Sequence, residues 1–90
     1  MLTAKDAREQ SAQSKQQKID KQLQEFEGLI EQAAKRGERK VTTEEFLCYT
    51  KDECNFFKEV GNILVRNGYD VAMGTEVGGS YYLVTLYISW

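Results

Sequence analysis

Residues 3–36 contain no proline and a single glycine, Gly28, before Gly37, and this uninterrupted stretch constrains the fold more than any other feature of the chain. Thr3 followed by Asp6 has the pattern of a capping box, and Gly37 falls where a left-handed residue ends a helix, so one helix is predicted over residues 3–36. At 1.5 Å per residue such a helix is about 51 Å long. A body built from residues 38–90 is only about 25 Å across by radius-of-gyration scaling. The helix therefore cannot lie wholly on its own domain. Ile19, Leu23, Phe26, Ile30 and Ala33 recur at spacings of four and three and form one apolar stripe. Toward the N-terminus the stripe gives way to Ala12, Gln16, Glu9 and Lys5, leaving no apolar face beyond Ala4, Ala7 and Ala12. Two fates are open to residues 3–17: projection into solvent, or contact with copies of themselves or a partner through Ala4, Ala7, Ser11 and Ser14.

After Gly37, the run RKVTTEEFLCYT is rich in β-branched and aromatic residues and predicts a strand over residues 39–48. Thr50 with Glu53 gives a second capping-box pattern, opening a helix whose apolar face holds Phe56, Phe57, Val60, Ile63 and Leu64 and which ends at Asn67-Gly68. The last segment predicts a hairpin about Gly78-Gly79 in a two-residue type I′ turn. In that register Val71 faces Leu86, Met73 faces Val84 and Tyr69 faces Ile88, giving one apolar face. The other face sets Asp70, Ala72, Gly74 and Glu76 against Tyr87, Thr85, Leu83 and Tyr81. Trp90 shares the phase of Val84, Leu86 and Ile88 and so points toward the core. A right-handed crossover through the second helix makes the first two strands parallel, with the third between them or at an edge. The expected fold is a single α+β domain over residues 1–90: a long N-terminal helix, then β-α-β-β with a small three-stranded mixed sheet and a C-terminal hairpin.

Ninety residues bury only about 60–65% of their unfolded surface, so stabilisation by self-association is expected. All the glutamines lie between Gln10 and Gln32, and nine of the ten aromatics lie from Phe46 onward. Residues 1–40 carry a net charge of +2 and residues 41–90 one of −4, which assigns the two halves different jobs. No apolar run approaches the roughly 20 residues of a membrane span, and residues 1–15 lack the apolar segment of a secretory signal, so the cytoplasm is the expected location. There Cys48 and Cys54 are expected as free thiols. Two thiols without histidine do not close a zinc site. The absence of histidine excludes Ser-His and Cys-His nucleophile pairs. Glu44-Glu45 and Asp52-Glu53 read as strand-surface and helix-start acids, and no phosphate-binding glycine motif is present. The expectation is a non-enzymatic protein with no metal and no cofactor.

Lys35-Arg36 and Arg39-Lys40 concentrate positive charge where the helix macrodipole favours it. The functional alternative is an anion site in which Arg36, Arg39 and Lys40 meet the phosphate of a small nucleotide while Tyr81 or Tyr87 stacks its base. A net charge of −2 and the lack of a continuous basic surface argue against double-stranded DNA. The face carrying Tyr81, Leu83 and Tyr87 has three readings: covered by the first helix, buried between subunits of a homo-oligomer, or a ligand platform.

Lys5-Asp6-Ala7-Arg8 at the start of a Lys/Gln/Glu-rich helix, Gly68-Tyr69-Asp70-Val71 entering the hairpin, and the terminal Ile88-Ser89-Trp90 resemble the layout of short accessory proteins of tailed phages. Those often read Lys-Glu-Ala-Arg, Gly-Tyr-x-Val and Ile-Ser-Trp in the same order. The two cysteines and the tyrosine-rich last strand depart from that pattern. The resemblance implies a protein acting in the infected bacterial cytoplasm, by binding a host or defence protein or a small anionic signal, or alternatively in the virion. It carries over no catalytic residue.

Overall fold

Each helix begins and ends where a side chain or a glycine takes up its orphan backbone groups. In the computed structural model, which describes residues 1–90, α1 (Ala4–Lys35) opens on a reciprocal box: Thr3 Oγ1 accepts from the Asp6 N–H at 3.1 Å and Asp6 accepts from the Thr3 N–H at 3.5 Å. It closes with Gly37 at φ 80°, the Gly37 N–H bonding Ala34 O and the Glu38 N–H bonding Ala33 O, the pattern of a Schellman cap. The α2 helix (Lys51–Arg66) ends the same way at Gly68, φ 95°. At its start Glu53 donates its N–H to Thr50 Oγ1, but the Glu53 carboxylate takes the N–H of Tyr49 at 2.7 Å instead of that of Thr50. The second expected capping box is therefore half formed and reaches one residue further out. Gly28 lies on the exposed side of α1 with nothing within 4 Å of where a Cβ would stand. Gly28→Ala is thus expected to stabilise by about 1 kcal/mol through helix propensity, and a thermal melt would show it as a rise of about 4–8 °C.

Four strands form one sheet: β1 (Lys40–Thr42), β2 (Phe46–Cys48), β3 (Asp70–Val77) and β4 (Tyr82–Ser89). β4 lies at the centre, with β3 along one side and β1 and β2 end to end along the other, all antiparallel to it. β1 and β3 run parallel, as the crossover argument expects. Because β4 separates them, no parallel pair is hydrogen-bonded, so the sheet is antiparallel throughout and not mixed.

The strand expected over residues 39–48 is broken by a bulge in which Thr43, Glu44 and Glu45 face only Thr85 and Leu86. Buried Thr43 holds the break together: its N–H bonds Leu86 O at 2.9 Å, and its Oγ1 accepts the Leu86 N–H at 3.0 Å. A regular strand with Val41 inward would also turn Glu45 and Leu47 inward. The bulge shifts the phase, so Phe46 and Cys48 join the core while Glu44 and Glu45 both stay exposed.

The hairpin pairs Val71 with Ile88, Met73 with Leu86 and Val77 with Tyr82, two residues away from the expected register. The loop is Gly78–Tyr81, and neither Gly78 nor Gly79 has positive φ, so the expected type I′ turn is absent. A Gly78 Cβ would stand 2.5 Å from Tyr81 Cζ, so the first glycine admits the tyrosine ring instead of a left-handed turn. A slip of two preserves both faces, and Val84, Leu86 and Ile88 are fully buried as expected.

Both helices pack on that face. From α1 come Ile19, Phe26, Ile30 and Ala33; from α2 come Phe57, Val60 and Leu64. A row of rings crosses the layers: Phe26 lies 6.0 Å from Phe46, which stacks on Phe57 at 4.5 Å. Trp90 closes the end of the sheet, its ring edge-on to Tyr69 and its backbone N–H donating to Arg39 O. Residues 4–18 bury no side chain fully, Ala7 alone being half-buried, and the molecule measures 54 × 32 × 18 Å. The N-terminal half of α1 is an arm extending from a two-layer body.

Candidate binding groove and open sheet face

The arm does not stand clear of the body on every side. Lys15 Nζ donates to Glu59 Oε1 at 3.0 Å, tying α1 to α2 across 44 positions of sequence. Between the arm and the start of α2 lies an open groove of about 1240 Å³. Ala7, Ser11 and Ser14 line its arm side; Phe56 and Phe57 supply its apolar floor. Its rims are oppositely charged, with Lys15 and Lys18 on the arm facing Asp52, Glu53 and Glu59 of α2. Small-molecule sites are typically about 300–1,000 Å³ and close around their ligand. This one is larger and open to solvent.

Of the residues expected to meet a partner through the arm, Ala7, Ser11 and Ser14 share the groove, whereas Ala4 is exposed outside it. Leu83 lies on the far side of the sheet. Missing from the sequence reading was the part of the opposite side formed by Phe56. Phe56 gave no separate signal, since it shares the apolar face of α2 with Phe57 and the two rings meet edge-on at 5.2 Å.

The sheet's other face carries no helix. Leu47, Leu83, Thr85 and Tyr87 occupy it, and Leu47 and Tyr87 are each about half exposed. The reading in which the first helix covers Tyr81, Leu83 and Tyr87 is overturned: both helices are committed to the face carrying Val84, Leu86 and Ile88, the more continuous apolar surface.

The five residues of the expected anion site do not converge. Arg36 is engaged by Glu38 at 3.3 Å. Arg39 gives its carbonyl to Trp90. Lys40, opposite Ser89, and Tyr87, opposite Thr42, come together beside Asp70 in a shallow depression. Tyr81, in the hairpin loop just before β4, is six residues from Tyr87, about 20 Å along the extended chain, and cannot reach them. No group of three or more potential metal ligands is assembled, and no helix is long and apolar enough to cross a membrane.

Cys48 is fully buried beside half-exposed Cys54 in the first turn of α2, and both are free thiols. Burial, then the charge of Cys54, a hydrogen bond with it and the charge of Glu53, push the Cys48 thiol up to about 11 from 9.0. Below pH 9.0 both folded and unfolded chains keep that proton, and it does not bear on stability. Between pH 9.0 and about 11 the unfolded chain releases it first, so stability is expected to fall across that window. A denaturant titration at pH 8 and pH 10.5 measures the loss, and Cys48→Ala is expected to lessen it. At pH 7.5 an alkylating reagent is expected to label Cys54 and spare Cys48 until the chain unfolds.

No protein-family model matches the chain, and neither a curated protein nor a solved structure is similar enough to count as a match.

Proposed function

We propose that this chain is a non-enzymatic accessory binding protein of the tailed-phage kind, acting in the infected bacterial cytoplasm by holding a segment of a host or defence protein in the groove between the α1 arm and α2. The observation that carries this reading is the groove itself: an aromatic floor of Phe56 and Phe57 between oppositely charged rims, open to solvent and bridged at one point by Lys15 and Glu59. Amphipathic segments bind such sites by laying an apolar face on the floor and charges on the rims. A protein is favoured over a small nucleotide because Tyr81 is remote from Lys40 and Arg36 is paired with Glu38. Self-association belongs to the proposal as well, with Leu47, Leu83 and Tyr87 of the open face as the surface a second copy would cover.

The test is gentle purification from phage-infected bacterial lysate followed by native mass spectrometry, comparing the natural chain with Ser11→Trp, which fills the groove from an exposed helix position. A bacterial protein retained by the first and released by the second supports the reading. Equal retention by both sinks it. Presence of the chain at fixed stoichiometry in purified particles would favour the virion role in its place.

A further inference from the structure

The two long edges of the sheet are built differently. Along one, β1 and β2 are three residues each and are separated by the bulge at Thr43–Glu45. Short strands and bulges are devices by which natural sheets blunt an exposed edge. Along the other, β3 runs eight residues in unbroken register with β4 and contains neither lysine nor proline. No strand pairs with its outer side.

The free backbone groups of that side can be assigned. Leu86 directs its N–H and carbonyl toward Thr43, on the β1–β2 side. In an antiparallel ladder the residue opposite such a group belongs to a non-hydrogen-bonded pair, so Met73 turns its own N–H and carbonyl away from β4. By alternation Val71, Thr75 and Val77 do the same. The Gly78 N–H to Tyr81 carbonyl bond agrees, placing the bonded pairs at the even positions of β3. Four donors and four acceptors therefore line the free edge, a ready template for another strand.

Charge selects the occupant. Asp70 and Glu76 are the only charged residues of β3, six positions apart, exposed, and on the same open face. A second copy pairing antiparallel about Met73 would oppose Asp70 and the partner's Glu76, a like-charge contact that destabilises a sheet. Centred on Gly74, the same ribbon would hold four carboxylates and no cation. A foreign strand with two cations six positions apart meets both carboxylates at once. We infer that β3 is a β-augmentation edge for an extended basic segment of a partner protein, with Lys or Arg opposite Asp70 and Glu76 and β-branched residues between them. Between the two acids, Ala72 presents only a methyl group, and the Tyr87 ring lies over Gly74 as an apolar surface on that face. The edge lies across β4 from β2, so it is distinct from the groove and goes beyond the function proposed above.

The probe is a blocked heptapeptide, Lys-Val-Thr-Val-Thr-Val-Lys, added at millimolar concentration to the full chain and followed by amide NMR. The expected result is shift changes concentrated at Val71, Met73, Thr75 and Val77, with affinity about tenfold lower for the peptide carrying Glu at both ends, as two cross-strand charge pairs reverse sign. The double variant Asp70→Lys/Glu76→Lys is expected to invert that preference. Thr75→Pro, which removes an outward N–H and no bond to β4, is expected to abolish binding without loss of fold. Absence of these shifts with the basic peptide, or equal binding of the two peptides, overturns the inference. So does protection of the same four amides by the chain alone as its concentration rises, which would make a second copy the occupant. None of these failures touches the groove, whose test is retention of a bacterial protein.

Discussion

Phe26→Ala is expected to cost about 3–5 kcal/mol of folding free energy, the loss typical when a buried ring is cut to a methyl group in a core that cannot collapse around it. Phe26 is 1% exposed and is the largest fully buried side chain. It is also the side chain through which α1 reaches the row of rings running through Phe46 to Phe57. Domains of this size have total stabilities at the lower end of about 5–15 kcal/mol, so the variant should be partly unfolded at 37 °C. Chemical denaturation followed by far-ultraviolet circular dichroism measures the loss. Phe26→Leu, which keeps most of the volume, should lose clearly less. A Phe26→Ala loss below about 1 kcal/mol would mean that α1 is not anchored through this ring.

The second large effect is predicted for Thr43→Val. The substitution keeps shape and β-branching but removes the hydroxyl that accepts the Leu86 N–H and donates to Glu44 O. Leu86 is 1% exposed, so its amide would be left buried without a partner, at a cost of about 1–3 kcal/mol. Thr43→Ser retains the oxygen and should cost less. The two variants separate the hydrogen bond from the packing, and faster hydrogen exchange at Leu86 in Thr43→Val alone would locate the damage. Since the bulge sets the phase that brings Phe46 and Cys48 inward, a weakened bulge is also expected to loosen the packing of both against the core.

These two residues also mark what was and was not legible in the sequence. The α1 stripe of Ile19, Leu23, Phe26, Ile30 and Ala33 could be read because helical periodicity is local and repeats over several turns. The caps at Thr3, Gly37 and Gly68 could be read for the same reason, each depending on residues three or four apart. Thr43 could not, since its hydroxyl stands in for a backbone acceptor to Leu86, 43 positions away. Val-Thr-Thr-Glu-Glu-Phe carries no glycine or proline to announce a bulge. The hairpin faces followed from alternation, but the register did not: whether Gly78-Gly79 is the whole loop or half of it is decided by the Tyr81 ring lying over Gly78. Length arithmetic showed that α1 overhangs. It did not show that the overhang runs alongside α2, which depends on the angle at which the stripe seats the helix on the core and on the Lys15–Glu59 pair. The candidate groove was accordingly half visible, through Ala7, Ser11 and Ser14 on one wall only.

Retention of a bacterial protein by the chain lacking residues 1–17, set beside retention by the full chain, tests the proposed role of the groove most directly. Ile19 and every other fully buried residue lie beyond the deletion, so the shortened chain should still melt cooperatively. With one wall of the groove gone, it should retain no bacterial protein that the full chain holds. A shortened chain that melts cooperatively and keeps the same protein at undiminished occupancy would contradict the account and move the contact surface onto the body.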